Sequence, residues 1–296
     1  MVTIDKCPIC NTAKFKEVFT CVDYTTTKEK FSVVACTNCN FHLTSPRPDD
    51  DQLGRYYQSD EYISHTNKSN NLLNSAYTLV RRFTLRWKVA LVKKHLPEKS
   101  SGKILDYGCG TGHFLSACHG TNLKITGVEP STEARTIASQ NTGAHICQNI
   151  SEVSDSQDII TLWHVLEHIG DLHPLIEQLK ARLNNHGAMF IAVPNRESWD
   201  AQVYQDTWAA YDVPRHLWHF TKKDMLTLMK SHNLVVKEII PMKLDAYYVS
   251  LLSEKYKRNS TQIPGMINAF KTGFVSNRKA KENNNYSSLI YVVQHQ

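Results

Sequence analysis

Between Leu72 and Leu96 the apolar residues Leu72, Leu73, Ala76, Val80, Phe83, Trp87, Ala90 and Leu91 recur at intervals of three and four. That period predicts one long amphipathic helix, ended by Pro97. Beyond it short apolar runs alternate with helical stripes, giving strands at 103–107, 124–128, 143–147, 158–163, 187–193, 235–240 and 288–294. Helices fall between them at 112–119, 131–140, 171–183 and 222–232, the last opened by a capping box, Thr221-x-x-Asp224. Residues 257–285, rich in Lys, Asn and Ser, read as a surface insertion with a short helix at Gly265 to Phe270. Alternation of strand and helix predicts an α/β fold, a doubly wound Rossmann-like sheet covered on both faces. Such a sheet takes ligands at the carboxyl ends of its strands, here just after residues 107, 128, 147, 163 and 193.

Upstream the pattern changes to two strand-like pieces, KFKEVFTCV and KEKFSVVAC, between the pairs Cys7-x-x-Cys10 and Cys36-x-x-Cys39. A two-residue spacer lets both thiolates of a turn face one ion, so Cys7, Cys10, Cys36 and Cys39 are candidate ligands of a tetrahedral zinc on a ribbon hairpin. A closed four-cysteine site has no open coordination position, which makes this zinc structural. Cys21, Cys109, Cys118 and Cys147 stand alone and read as spectators. The Pro46-Arg47-Pro48 stretch ends the segment. The expected organisation is therefore a ribbon at 1–45, a linker and capping helix at 46–100, and the main domain at 101–296.

Composition narrows the class of protein. The chain has 296 residues, 41% hydrophobic and 21% charged, as expected of a packed soluble protein. No apolar run reaches the length of a bilayer and MVTIDKCPIC has no signal-peptide core, so the expectation is a cytoplasmic protein with no membrane partner. The net charge of +6 and the face Arg81, Arg82, Arg86, Lys88, Lys93 and Lys94 of the long helix fit either a solvated surface or a nucleic-acid stripe. In the aromatic stretch Tyr56 to His65, the rings either pack on the neighbouring domain or close over a ligand.

The chemistry concentrates in KILDYGCGTGHFL, Lys103 to Leu115, where a strand ends on Asp106 and Tyr107 and runs into Gly108, Cys109, Gly110 and Gly112. A dinucleotide needs G-x-G-x-x-G, and here the spacing is G-x-G-x-G with an acid before it. A carboxylate in that place suits a cationic ligand, and Glu129-Pro130 at the next strand end can accept both hydroxyls of a ribose. From Lys103 onward the chain resembles the class I S-adenosylmethionine-dependent methyltransferases. Asp106 and the three glycines match the family's first motif, Glu129 its ribose-binding acid, and Asp158 to His164, including Trp163, its fourth-strand motif. The resemblance implies an adenine contact at Asn149 and Ile150, where the family's common aspartate is missing, and a seven-stranded sheet with an antiparallel last strand. More narrowly, the cysteine pairs, the PRP linker and PRHLWHFT resemble bacterial methyltransferases that act on sugars or other small metabolites.

A second concentration is His164-Val-Leu-Glu167-His168, with Pro214-Arg215-His216-Leu-Trp-His219 later in the chain. Three readings stand. One histidine is a general base for an acceptor hydroxyl; or His164, Glu167, His168 and His216 or His219 hold a second divalent metal; or Glu167 and His168 are structural. Similar E-x-x-E-H sequences ligate metal in the small-RNA 2′-O-methyltransferases and ubiquinone-pathway O-methyltransferases that the segment resembles, with His164 here in place of the first glutamate. Arg215 is a candidate fork for an acceptor carboxylate or phosphate, and Tyr204, Trp208 and Tyr211 either stack on an acceptor or cover the sheet end. The resulting expectation is O-methylation of a small-molecule or saccharide acceptor. The alternatives are an RNA methyltransferase gripping nucleic acid through ribbon and basic helix, and a non-catalytic zinc-ribbon interaction protein.

Overall fold

A computed structural model describes residues 1–57, 72–97, 102–258 and 263–296, with the side chains of residue 50 and residues 72–80 left out. Tyr62 and His65 lie outside the described residues, as do the side chains of Leu72, Leu73, Ala76 and Val80 of the expected helical stripe. Strands run β1 Phe15–Val22, β2 Lys30–Cys36, β3 His42–Thr44, β4 Lys103–Tyr107, β5 Lys124–Val128, β6 Ile146–Cys147, β7 Gln157–Trp163, β8 Leu183–Pro194, β9 Trp218–His219, β10 Leu234–Pro241 and β11 Ser288–His295. The main helices are α1 Leu72–Lys94, α2 His113–Ala117, α3 Thr132–Thr142, α4 Leu172–Arg182, α5 Trp199–Tyr204, α6 Lys222–Ser231, α7 Asp245–Arg258 and α8 Ile263–Asn283.

Seven strands form one mixed sheet in the order β10-β11-β8-β7-β4-β5-β6, with β11 antiparallel to both neighbours. Runs such as Ile159 to Leu162 are buried on both faces, which is why the central strands read as continuous apolar stretches. The capping box forms as expected, with Asp224 N–H donating to Thr221 Oγ1 and Thr221 N–H to Asp224 Oδ2. The third strand is shorter than expected because Gly143 adopts a left-handed conformation that ends α3.

The segment read as a surface insertion is instead the 21-residue helix α8, packed on α7, which the sequence pattern also missed. Its buried positions are Gly265, Ala269, Gly273, Ser276 and Ala280, while Ile263, Ile267, Phe270 and Phe274 face outward. Small residues let the two backbones approach: a Cβ at Gly273 would lie 2.8–3.0 Å from Tyr247. The usual apolar stripe is therefore inverted.

The N-terminal hairpin β1–β2 is not a free-standing sheet. β3 joins it, and β3 pairs in turn with β9, His42 opposite His219 and Leu43 opposite Trp218. Phe41 and Leu43 share one core with Leu217, Trp218 and Phe220, so the ribbon is sewn into the main domain by the PRHLWHFT segment.

Candidate functional site

In the glycine loop each glycine has its own reason. Gly108, Gly110 and Gly112 all have positive φ. A Cβ at Gly108 would lie 2.7 Å from Val165, and one at Gly112 3.1 Å from Ala138, whereas at Gly110 nothing stands within 4 Å. The middle of the loop thus presents bare backbone to an open space, as a bound small molecule requires. Asp106 is buried at the strand end and accepts from Thr161 Oγ1 at 2.7 Å. Burial pushes its carboxyl up to about 7, against the pull of the Thr161 hydrogen bond and the Lys88 charge. Glu129 accepts from Gly110 N–H and Ser131 N–H, both at 2.9 Å, one on each oxygen. Each oxygen keeps a second acceptor position, which suits a pair of ribose hydroxyls. Pro130 O accepts from Arg135, and Asn149 and Ile150 open a short turn just beyond β6. Cys109 is buried, and Tyr107 lies at the end of β4. The exposed backbone, the two acids and the buried indole nitrogen of Trp163, which has no partner, fit S-adenosylmethionine.

Helix α1 lies over this loop. Lys88 Nζ sits 4.2 Å from the Trp163 ring centre, and Arg81 reaches His113 at 2.7 Å. Two of the six basic residues of its charged face therefore point at the site. Burial holds the Lys88 ammonium below its usual range, with Asp245 and Asp106 opposing.

At the end of β7, His164 adopts a left-handed φ of 58°. Its Nδ1 is 3.2 Å from Glu167 Oε1 and its Nε2 3.1 Å from Asp245 Oδ2. Both nitrogens face carboxylate oxygens, so both must donate, and the ring is an imidazolium. Burial opposes that charge, but the hydrogen bonds from Asp245 and Glu167 outweigh it and lift His164 to about 9. At neutral pH it cannot accept a proton. Asp245 carried no sequence motif and was not among the expected site residues; a lone acid four residues after a strand end gives no signal.

Glu167, His168 and His216 come together, with one ligand atom from each within 4.8 Å of the others. His168 Nδ1 lies 3.0 Å from Arg215 O, and His216 Nδ1 2.8 Å from Ala210 O. A carbonyl only accepts, so each Nδ1 carries a proton, which leaves Nε2 as the nitrogen of each ring that can ligate a cation. Burial and the neighbouring His216 pull His168 down to about 4. Glu167 is fully buried and its Oε2 has no partner. Two imidazoles held by backbone carbonyls beside an orphaned carboxylate oxygen form a donor set that fits a divalent cation. Tyr57, from the aromatic stretch, brings its hydroxyl to 3.1 Å from His168 Nδ1.

Two expected residues have other duties. Arg215, 1% exposed, is bonded to Asp212 at 2.6 and 2.9 Å, to Asp23 at 3.0 Å and to Tyr56 O at 2.8 Å. Its fork is filled by the ribbon and its own turn, and no acceptor carboxylate or phosphate can use it. His219 is buried in the β3–β9 pair with Nε2 3.1 Å from Thr44 Oγ1, and is not part of the metal-ligand group. Tyr204, Trp208 and Tyr211 are buried with Phe31 and Val33 of the ribbon.

In the ribbon, Cys7 Sγ and Cys39 Sγ are 3.5 Å apart, as are Cys10 Sγ and Cys36 Sγ, and all four lie within 4.8 Å. Tetrahedral zinc with bonds of about 2.3 Å sets its sulfurs about 3.8 Å apart, so the cluster fits that ion. Both knuckles close alike: Asn11 N–H donates to Cys7 O and Asn40 N–H to Cys36 O, each asparagine having positive φ.

Residues 78–239 match the family described as methyltransferase domain, 162 of the 296 residues. The chain belongs to this family. Its fold is that of the class I S-adenosylmethionine-dependent methyltransferases, with an N-terminal cysteine cluster of the zinc-ribbon kind. It is similar to the magnesium protoporphyrin IX methyltransferase of Synechocystis with bound S-adenosylhomocysteine, at 12% identity and a TM-score of 0.54 over 84% of this chain and 100% of that one, a likeness of fold. A ubiquinone biosynthesis O-methyltransferase of Glaesserella parasuis is 30% identical over 34% of this chain and 51% of its own length. That of Haemophilus ducreyi is 26% identical over 53% of this chain and 73% of its own. The chain thus spans about half the length of the first relative. Among the described residues no helix is long and apolar enough to cross a membrane.

Proposed function

We propose that this chain transfers the methyl group of S-adenosylmethionine to a hydroxyl oxygen of a small-molecule acceptor, with Glu167, His168 and His216 holding a divalent cation beside that acceptor. The observation that carries the proposal is the convergence of one ligand atom each from Glu167, His168 and His216 within 4.8 Å of one another, with Glu167 Oε2 buried and unpartnered. A divalent cation bound there supplies Lewis acidity that lowers the pKa of an acceptor hydroxyl. Asp106, Glu129 and the open backbone at Gly110 orient the cofactor, and orientation does much of the work because a sulfonium methyl is already electrophilic. His164, fixed between Glu167 and Asp245, aims both carboxylates and is not the proton acceptor. The names of the curated relatives support oxygen as the acceptor atom. The ribbon of residues 1–45 serves as scaffold for the histidine segment through β9, the linker and α1 cap the cofactor loop, and 101–296 carry the chemistry.

The test is methyl transfer from tritiated S-adenosylmethionine into fractionated cell extract, with and without a chelator mild enough to leave the ribbon zinc bound. Transfer should fall on chelation and return with added metal, and Glu167→Gln should lower it about 100-fold or more. Full turnover in chelator with one zinc retained rejects the metal-assisted reaction.

A further inference from the structure

A cavity of about 410 Å³ opens between α1 and the loop that follows β10. Trp87, Ile240, Pro241 and Met242 line it, Phe83 and Leu244 stand exposed at its rim, and Asp245 is its acidic end. Because β11 is antiparallel to both β10 and β8, the end of β10 points the same way as the ends of β7 and β4. The cavity therefore sits on the ligand-binding rim of the sheet. Asp245 also ties it to the chemistry: Asp245 Oδ2 meets His164 Nε2 at 3.1 Å and His164 Nδ1 meets Glu167 Oε1 at 3.2 Å. A single imidazole separates the cavity wall from the carboxylate of the proposed metal site.

We infer that this cavity holds the acceptor, and that the acceptor is a hydroxylated aromatic compound, not a free saccharide; the inference rests on the methyl-transfer reading above. The walls decide between the two. A hexose brings several hydroxyls, each needing a partner once out of water. Among the described residues the lining offers Thr84, Lys243 and Asp245 as polar side chains, the others being apolar. A flat ring makes the opposite demand: apolar walls, supplied here by an indole and a Pro-Met pair, and few polar partners. A volume of 410 Å³ is at the lower end of small-molecule sites, room for one or two fused rings.

The test uses 2,3-dihydroxynaphthalene as probe and methyl glucoside as its counterpart, titrated calorimetrically into the whole chain with and without saturating S-adenosylhomocysteine. The naphthalenediol should bind saturably and the glucoside should not. Leu244→Asp at the rim and Trp87→Ala in the wall should each weaken the probe about tenfold or more while S-adenosylhomocysteine affinity stays within about twofold. Binding of the glucoside in place of the diol, no saturable binding of the diol, or equal affinity in both variants overturns the assignment. Loss of S-adenosylhomocysteine binding by the unaltered chain counts against the methyl-transfer reading instead, and the cofactor-free titration still reads the cavity.

Discussion

The two halves of the site are built in opposite ways. The cofactor half is local: Asp106, Gly110 and Glu129 lie within 24 residues, on two adjacent parallel strands whose register brings them together. The proposed acceptor half is assembled from distant pieces: Tyr57 of the linker, Trp87 of α1, the His164–His168 turn, the Arg215–His219 segment and Asp245 of α7. A local site tolerates change elsewhere in the chain, while an assembled one depends on whatever ties its pieces together. Here the tie is ionic and buried. Arg215 joins Asp212 to Asp23 of the ribbon, and its backbone carbonyl is the partner that sets the His168 tautomer.

Breaking that tie should have the largest effect. Arg215→Ala strands two carboxylates, one of them fully buried, and should lower unfolding free energy by about 3–5 kcal/mol. The cofactor half predicts the complementary result: at a temperature where the variant stays folded, S-adenosylmethionine should bind with nearly unchanged affinity. Thermal denaturation and calorimetry on the same sample check both. Equal loss of cofactor affinity would mean that the halves are one unit.

The same contrast explains what the sequence could show. The glycine loop was legible because Asp106, its glycines and Glu129 follow one strand-turn-helix unit and the next strand end. The cysteine cluster was legible from the two C-x-x-C spacings, whereas the left-handed turns at Asn11 and Asn40 that close the knuckles were not read from the sequence. The metal reading listed His164, Glu167 and His168 with either His216 or His219 and could not choose between the last two; the structure brings His216, without His164 or His219, to Glu167 and His168. They sit three residues apart, and only the β3–β9 pairing turns one into the sheet and leaves the other beside Glu167. Arg215 looked like a free fork because Asp23, its main distant partner, is 192 residues away. Helix α8 escaped because its packed face is Gly, Ala and Ser, whose short side chains allow close contact without leaving a hydrophobic period.

The cofactor half can be sharpened by pH. Asp106 has a folded-state pKa raised to about 7. Below that value the carboxyl carries a proton, which a cationic ligand must displace; above it the charge is already present. S-adenosylmethionine affinity should therefore rise with pH and level off above 7, with a slope approaching about tenfold per unit on the acid side. Asp106→Asn should bind more weakly at pH 8 and lose that slope. An identical slope in Asp106→Asn would move the titration to another group.

The smallest expected change separates the two late histidines. Thr44 Oγ1 donates its proton to His216 O at 2.8 Å, so at its 3.1 Å contact with His219 the hydroxyl oxygen must accept, and His219 Nε2 carries the proton. A nitrogen in that state is neither base nor ligand. Burial, with His216, His42 and Arg196 nearby, also holds the ring neutral. His219→Gln keeps a donor toward Thr44 and should reduce stability by about 1 kcal/mol with kcat within about twofold of the parent. His216→Gln, which removes an imidazole from the group it forms with Glu167 and His168, should reduce transfer and metal affinity together. If kcat of His219→Gln instead falls as far as that of Glu167→Gln, β9 contributes more to the acceptor half than a strand pairing.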